Sequence, residues 1–198
     1  GTWEGHTILH VSAPAALEEW PGLDDAKRRL YDLRARRVWP GLDDKVLTAW
    51  NGLMLAAFAE AGRALDRPDY VAAAVTNAEF LRATMRQPDG RLLRSWKDAA
   101  GARYNAYLED YAFLADGLLA LYQTTFDARW FIWARELADR MLDHFRDPAG
   151  GFFDTSDDHE ELLHRPKDVQ DNATPSGNGM AAHVLLRLGL YTGEGRYW

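Results

Sequence analysis

Apolar residues recur at helical spacing in three stretches of the chain, which begin at the motifs AWNGLM, LEDYAF and PSGNGM. Each stretch opens with polar residues, continues as an apolar run and ends at a short turn that an aromatic residue follows. These aromatic residues are Tyr70, Trp130 and Tyr197. Apolar positions three and four residues apart share one face of an α-helix, so each stretch predicts an amphipathic helix. The recurrence predicts a fold of repeated helical units.

A second, more charged helix is predicted in each of the first two repeats. The alternation indicates an inner layer of buried helices and an outer layer that meets water. The connections from a second helix to the next repeat are long, roughly 87–106 and 147–175, and they hold the strand-like runs RLLRSW and GFFDTS. We therefore expect an all-α fold of helical hairpins, an α-solenoid or an α/α toroid, with one or two short β-hairpins in the long loops.

The repeats also suggest a domain organisation. We expect residues 1–198 to form one domain, with a leading segment and an outer helix, LDDAKRRLYDLRARR, over 1–40. Successive hairpin repeats are expected over 41–106, 107–172 and 173–198. About six helices make half of a six-hairpin ring, so we expect a fragment of a longer protein. The apolar edges of a partial ring predict self-association.

Composition narrows the function classes. The 198 residues carry a net charge of −7, which argues against a general nucleic-acid binder. The absence of cysteine excludes disulfides and thiolate metal sites within this sequence. No apolar run approaches the length of a transmembrane helix, so we expect no membrane partner and a cytoplasmic location. We also expect no cofactor and no metal, while the 12% of aromatic residues would suit a sugar-stacking cleft.

Four motifs carry a family resemblance: DDKVLTAWNGLM, LEDYAFLADGLLALY, GGFFDTSDDHEELLHRPKD and DNATPSGNGMAA. From about Gly5 to its end, the chain resembles the spermatogenesis-associated protein 20-like proteins, the DUF255 group. The resemblance implies a thioredoxin-like domain, absent from this sequence, followed by an (α/α)6 toroid of the six-hairpin glycosidase type. It further implies that the chain is a middle-to-late part of that toroid, which is similar to those of N-acylglucosamine 2-epimerases and related sugar isomerases.

The candidate catalytic residues are Glu109, Asp110, Asp44 and His159. Adjacent helical residues point about 100° apart. Glu109 and Asp110 are either both ordinary helix-start charges, or one caps the helix start and the other faces a cleft as a general acid or base. Asp44 is either a helix cap or the second carboxylate of a pair. His159 is either part of an exposed charged loop or a proton carrier near neutral pH.

The candidate substrate-binding residues are Trp50, Asn51, Trp96, Tyr111, Ser176 and Asn178. The two tryptophans would stack on a sugar, or else belong to the core and the hairpin. The amide of Asn51 needs partners inside an apolar helix start, and sugar hydroxyls would serve. The TPSGNG motif is either a capped helix start or a platform of backbone N–H groups for an anion or a sugar hydroxyl. Because successive inner helices start on the same side, Asn51, Glu109 and Asn178 are expected to converge on one rim.

Two functions stay open at this stage. The first is a carbohydrate-active domain that acts on or binds a small sugar or sugar phosphate, as an epimerase, isomerase or glycoside hydrolase. The second is a non-catalytic scaffold that presents a ligand or a partner to an attached thioredoxin-like domain. Resemblance of fold alone does not determine a reaction, so the residues of the site have to separate the two.

Overall fold

A computed structural model describes residues 2–7, 22–160 and 162–198, and the chain divides into two compact units, Gly1–Asp43 and Asp44–Trp198. In the first unit, strands β1 (Thr2–Trp3) and β2 (His6–Thr7) pair antiparallel. Helix α1 (Leu23–Ala35) has acidic residues in its first turn and arginine in its last, an order that the helix dipole favours. This helix is the one predicted from LDDAKRRLYDLRARR.

The second unit is built from two helical hairpins and one further helix. The hairpins are α2 (Thr48–Ala64) with α3 (Pro68–Thr84), and α4 (Leu108–Thr125) with α5 (Ala128–His144). Helix α6 (Gly177–Thr192) follows and leads into a short 3-10 helix, Gly195–Tyr197. Helix α4 packs against α2 on one side and α6 on the other, while α3 and α5 pack onto their own hairpin partners. The predicted all-α fold with apolar inner and mixed outer helices is confirmed.

Helix α5 illustrates how an outer helix buries only one face. Its buried side chains include Trp130, Trp133, Leu137 and Met141, which recur every three or four residues. The intervening positions carry arginine and acidic residues. Helix α4 differs, because nearly every residue of its first three and a half turns is buried. The central inner helix is thus enclosed on several sides, as its continuous apolar sequence requires.

One of the two long loops forms a β-hairpin. Strands β4 (Leu93–Lys97) and β5 (Gly101–Asn105) pair antiparallel, and β3 (Val46–Leu47), just before α2, adds a third strand on β4. The second loop, after α5, has only an isolated bridge between Arg146 and Phe152 in its described part. The prediction of at least one hairpin is confirmed, and β3 was not anticipated because two residues are too few to show alternation.

Helices α2 and α4 approach until their backbones touch. A Cβ atom at Gly52 would lie 2.6 Å from the backbone nitrogen of Leu114, and one at Gly117 would lie 2.6 Å from the carbonyl oxygen of Gly52. Real Cβ atoms do not approach backbone atoms so closely. Glycine at both positions therefore sets the distance between the two central helices.

We predict that Gly52→Ala destabilises the protein by about 1–3 kcal/mol, because the added methyl group forces α2 away from α4. Alanine is otherwise the better helix former by about 1 kcal/mol, so the clash has to outweigh that gain. Gly195→Ala is the matched control, since a Cβ there meets nothing within 4 Å. Urea denaturation measures both variants, and a Gly52→Ala midpoint at or above that of the parent would contradict the prediction.

Candidate functional site

The buried carboxylate of Asp110 joins the starts of α2 and α4. Its Oδ1 accepts the N–H of Ala49 at 2.9 Å, and its Oδ2 accepts the N–H of Tyr107 at 2.9 Å. The same Oδ2 accepts Nη1 of Arg94, on β4, at 3.0 Å. Burial raises the pKa of Asp110 to about 6, against the lowering effects of Arg94 and the two N–H donors. Asp110 is therefore ionised at neutral pH and serves as the helix cap of the adjacent pair.

Glu109, the other member of the pair, faces a cavity of about 410 Å³. Its Oε1 lies 2.9 Å from Nη1 of Arg94, so one guanidinium bridges both carboxylates. The ring of Tyr107 lies beneath that guanidinium, 4.5 Å from its carbon to the ring centroid, and both residues line the cavity. The start of α6 forms another part of the wall with Ser176 and Gly177.

Two further carboxylates, of Asp154 and Asp168, line the same cavity. The backbone of Asp154 is held at the start of α4, because its carbonyl accepts the N–H of Leu108 at 2.9 Å. Its side chain accepts the N–H of Asp168 at 3.1 and 3.2 Å. Burial raises the pKa of Asp154; the hydrogen bond from Asp168 opposes the rise, and the negative charges of Asp168 and Glu109 add to it. Neither aspartate was a sequence candidate, although both lie in the GGFFDTSDDHEELLHRPKD motif.

The TPSGNG motif forms a capped helix start beside the cavity. Ser176 caps α6, its Oγ accepting the N–H of Gly179 at 3.0 Å, and it lines the cavity. Asn178 does not line it. Its amide accepts the N–H of Phe152 at 2.8 Å and donates to the carbonyls of Phe152 and Asp168, each at 2.9 Å. Asn178 thus ties the loop after α5 to the inner helix.

The two candidates on α2 lie outside the cavity. The side-chain amide of Asn51 donates to the carbonyl of Leu47 at 2.8 Å. The backbone carbonyl of Asn51 accepts the side-chain N–H of Asn77 at 3.3 Å. The amide nitrogen of Asn51, for which we expected a ligand, thus already has a backbone partner at the start of its own helix. Trp50 is 63% exposed on the surface of α2, so it is neither part of the core nor part of the cavity. The starts of α2, α4 and α6 do lie at one end. Asp110 joins the start of α2 to that of α4, and Gly177 brings the start of α6 close to the backbone of Glu109.

Two aromatic candidates have structural contacts instead. Tyr111 is buried, and its hydroxyl accepts the N–H of Leu92 at 2.9 Å, just before β4. Trp96, on β4, packs edge-on against Phe80 of α3, with ring centroids 5.4 Å apart. Neither ring lines the cavity. Trp96 therefore anchors the hairpin, the second of the two roles that its sequence position allowed.

The remaining catalytic candidates, Asp44 and His159, do not line the first cavity. The carboxylate of Asp44 is 2.7 Å from Nζ of Lys97, and this hydrogen bond lowers the pKa of Asp44. His159 lies 5.6 Å from the ring of Tyr107 and lines a second cavity, of about 510 Å³, which shares Arg94 and Tyr107 with the first.

One group of possible metal ligands occurs in the described part of the chain. His144, Asp157 and Asp158 bring their ligand atoms within 4.8 Å of one another. Protein groups already satisfy them, because Nδ1 of His144 lies 2.9 Å from Asp157, and Asp158 pairs with Arg91. Nε2 of His144 also lies 3.4 Å from the guanidinium of Arg140. The two arginines balance the acidic charge that would otherwise attract a cation.

We predict that Asp110→Asn lowers the free energy of unfolding by about 1–3 kcal/mol. The NH₂ group of asparagine would face a backbone N–H, and because both groups are donors, no hydrogen bond could form between them. Glu109→Gln, on the half-exposed neighbour, is the matched variant and is expected to change stability much less. Thermal and urea melts of the two variants test the assignment of Asp110 to structure. Equal losses of stability would contradict it.

No protein-family model matches the chain, but individual proteins are similar to it in sequence. It is 39% identical to spermatogenesis-associated protein 20 of Mus musculus over 196 residues, which are 94% of this chain and 24% of that protein. It is 37% identical to the Homo sapiens protein over 182 residues, 87% of this chain and 23% of that protein. The chain thus spans about a quarter of the length of these relatives, and the DUF255 designation stays a prediction.

Solved structures similar to this chain come from carbohydrate-active enzymes. The cellobiose 2-epimerase of Spirochaeta thermophila has a TM-score of 0.63 at 19% identity, over 80% of this chain and 41% of that one. A GH76 α-mannanase of Bacteroides thetaiotaomicron has a TM-score of 0.61 at 11% identity, over 81% and 40%. A family 105 glycoside hydrolase of C. acetobutylicum has a TM-score of 0.61 at 10% identity, over 93% and 55%. At these identities the likeness concerns the fold alone.

Sequence and fold agree. The sequence matches are consistent from one mammal to the next, and the structural matches have the α/α toroid, one of the two folds that the repeats allowed. Within the described residues, no helix has both the length and the apolar character to cross a bilayer. The chain is therefore a homologue of one segment of spermatogenesis-associated protein 20, and it has the six-hairpin glycosidase-like fold.

Proposed function

We propose that the cavity at the start of α4 binds a neutral saccharide and transfers protons to and from it. The observation that carries this proposal is the presence of three carboxylates, those of Glu109, Asp154 and Asp168, in one cavity with the ring of Tyr107. The cavity lies in a fold that a cellobiose 2-epimerase, an α-mannanase and a family 105 glycoside hydrolase share. Fold similarity raises the expectation of a sugar ligand, and the residues of the site supply the chemistry.

The charge of the cavity favours a neutral sugar over a sugar phosphate. Among the described residues of its wall, Arg94 is the one arginine, and it is already paired with Glu109 and with the buried Asp110. Asp154 and Asp168 add two acidic groups, and the described part of the wall holds no further cation to balance them. A phosphate would meet repulsion there, whereas the hydroxyl groups of a sugar donate hydrogen bonds to carboxylates.

Asp154 and Glu109 are suited to complementary roles in proton transfer. Burial and two neighbouring negative charges disfavour the ionised form of Asp154 and raise its pKa, which is the direction that suits a general acid. Glu109, ion-paired with Arg94, is the carboxylate partner that accepts a proton or stabilises positive charge. Epimerisation and glycosidic cleavage both require such a donor and acceptor. Asp154 takes the place that the sequence had suggested for Asp44 or His159.

We predict saturable binding of a neutral mono- or disaccharide in a calorimetric screen, and turnover of at least one sugar that binds. Glu109→Gln and Asp154→Asn keep the side-chain shape but remove the titrating group, so each is expected to lower kcat by about 10²–10⁴. Asp44→Asn, outside the cavity, is the control and should leave kcat unchanged. Binding without turnover would support the scaffold function instead, and wild-type rates in both variants would contradict the roles given to these carboxylates.

A charge change at Asp168 tests the electrostatics of Asp154 directly. A general acid works only while protonated, so activity falls as pH rises through its pKa. Asp168→Asn removes a negative neighbour that raises the pKa of Asp154, and we therefore predict that this fall moves to lower pH. NMR titration of the Asp154 carboxyl carbon measures the shift without a substrate, with Asp44→Asn as control. An unchanged midpoint would show that Asp168 does not influence Asp154.

A further inference from the structure

A second cavity adjoins the first at Arg94 and Tyr107. The two cavities, of about 410 and 510 Å³, have these two residues as common wall residues. Glu109, Asp154 and Asp168 belong only to the first, whereas Tyr104 and His159 belong only to the second. The stacked side chains of Arg94 and Tyr107 therefore separate a carboxylate half from an aromatic half, and we call the two halves together the cleft.

Both halves contain buried polar atoms without a partner. Five such side-chain atoms occur among the described residues, and they belong to Trp130, Trp133, Thr155, His159 and Arg165. Three of these residues lie in the loop that borders the cleft. Thr155 lines the first cavity and is only 4% exposed, and its Oγ1 has no partner. Nδ1 of His159, which lines the second cavity, also has none. Both atoms are themselves buried, so they show that the polar groups of the loop beside the cleft are incompletely paired.

Tyr104 is held in an unusual backbone conformation at the second cavity. Its φ angle is +63°, although it lies within strand β5, and its side chain is 70% exposed. Phe126 also has a positive φ, of 56°, but it ends α4, where this conformation is common. No helix end accounts for Tyr104. Strain of this kind is found at ligand-binding sites, and here it presents an exposed ring at the rim of the cleft.

We propose that the cleft takes a saccharide of at least two units, which crosses the stacked pair of Arg94 and Tyr107. One unit lies in the carboxylate half, beside Asp154 and Glu109. The next unit lies against the ring of Tyr104 and beside the imidazole of His159. This assignment rests on the proposed function, because it extends the same cavity, and it names a substrate class of disaccharides and longer saccharides.

Calorimetric titration with matched series tests the length of the ligand. The probes are glucose, cellobiose and cellotriose, and mannose, mannobiose and mannotriose. In the series that binds, the disaccharide is expected to bind at least about tenfold more tightly than the monosaccharide. Equal affinities for one unit and two would overturn the two-unit cleft while leaving the proposed function in place. Failure of every sugar in both series to bind would overturn the proposed function together with it.

Variants of the aromatic half locate the second unit. Tyr104→Asn keeps a residue that tolerates a positive φ and removes the ring, so it should weaken disaccharide binding about tenfold and leave monosaccharide binding within about twofold. Phe126→Asn makes the same exchange at the far end of α4 and should change neither. His159→Phe keeps a ring on Tyr107 but removes the nitrogen, and should also weaken only the disaccharide. Loss of both affinities to the same degree, or of neither, would overturn the assignment.

Discussion

The carboxylate of Asp110 is the contact on which the second unit of the chain depends. It binds the N–H groups of Ala49 and Tyr107, at two helix starts 61 and 3 residues away, and a guanidinium from β4. A buried ion with three donors is stable only if all three stay in place. The same contact positions the site, because the helix turns Glu109 about 100° from Asp110 and into the cavity. Of the two adjacent carboxylates, Asp110 thus stabilises the structure, and Glu109 is available to a ligand in the cavity.

The opposite wall of the cavity is held in a different manner. The described part of the segment after α5 has little regular structure, and individual hydrogen bonds fix it in place of a ladder. Asn178 binds the backbone at Phe152 and Asp168, and Nζ of Lys167 lies 3.0 Å from Asp147. Walls held by partly exposed polar contacts open at lower free energy than packed helices do. Asp168 therefore stands on the more adaptable side of the cleft, whereas Asp154 is tied to the start of α4 through its carbonyl.

How far the sequence predicts this molecule depends on how local each signal is. Periodicity identified α2, α4 and α6, and the antiparallel hairpins imply that their starts share one end. The motif around Ser176 showed a helix cap, and the angle between Glu109 and Asp110 implied that one of them would be structural. Asp154 could not be found in this way, because its position depends on a long irregular segment whose path no periodicity encodes.

The polar residues of the inner helices were misleading for a related reason. The amide of Asn51 and the hydroxyl of Tyr111 suggested a ligand, but each already has a hydrogen bond with a backbone group, of Leu47 and of Leu92. Only the tertiary structure shows which partner a buried polar group has. Self-association and a cytoplasmic location, which the sequence also suggested, stay predictions.

The contact between Gly52 and Gly117 has a mechanical consequence for the cleft. With no side chain between the two backbones, rotamer changes cannot alter the spacing of α2 and α4. Packed interfaces of this kind deform little, so we expect the two helices to move together as one rigid body. We therefore expect any widening that admits a ligand to come from the other parts of the cavity wall, above all from the loop after α5. Selection for new ligands would then act on the loop after α5, while the pair of glycines keeps α2 and α4 in the same position.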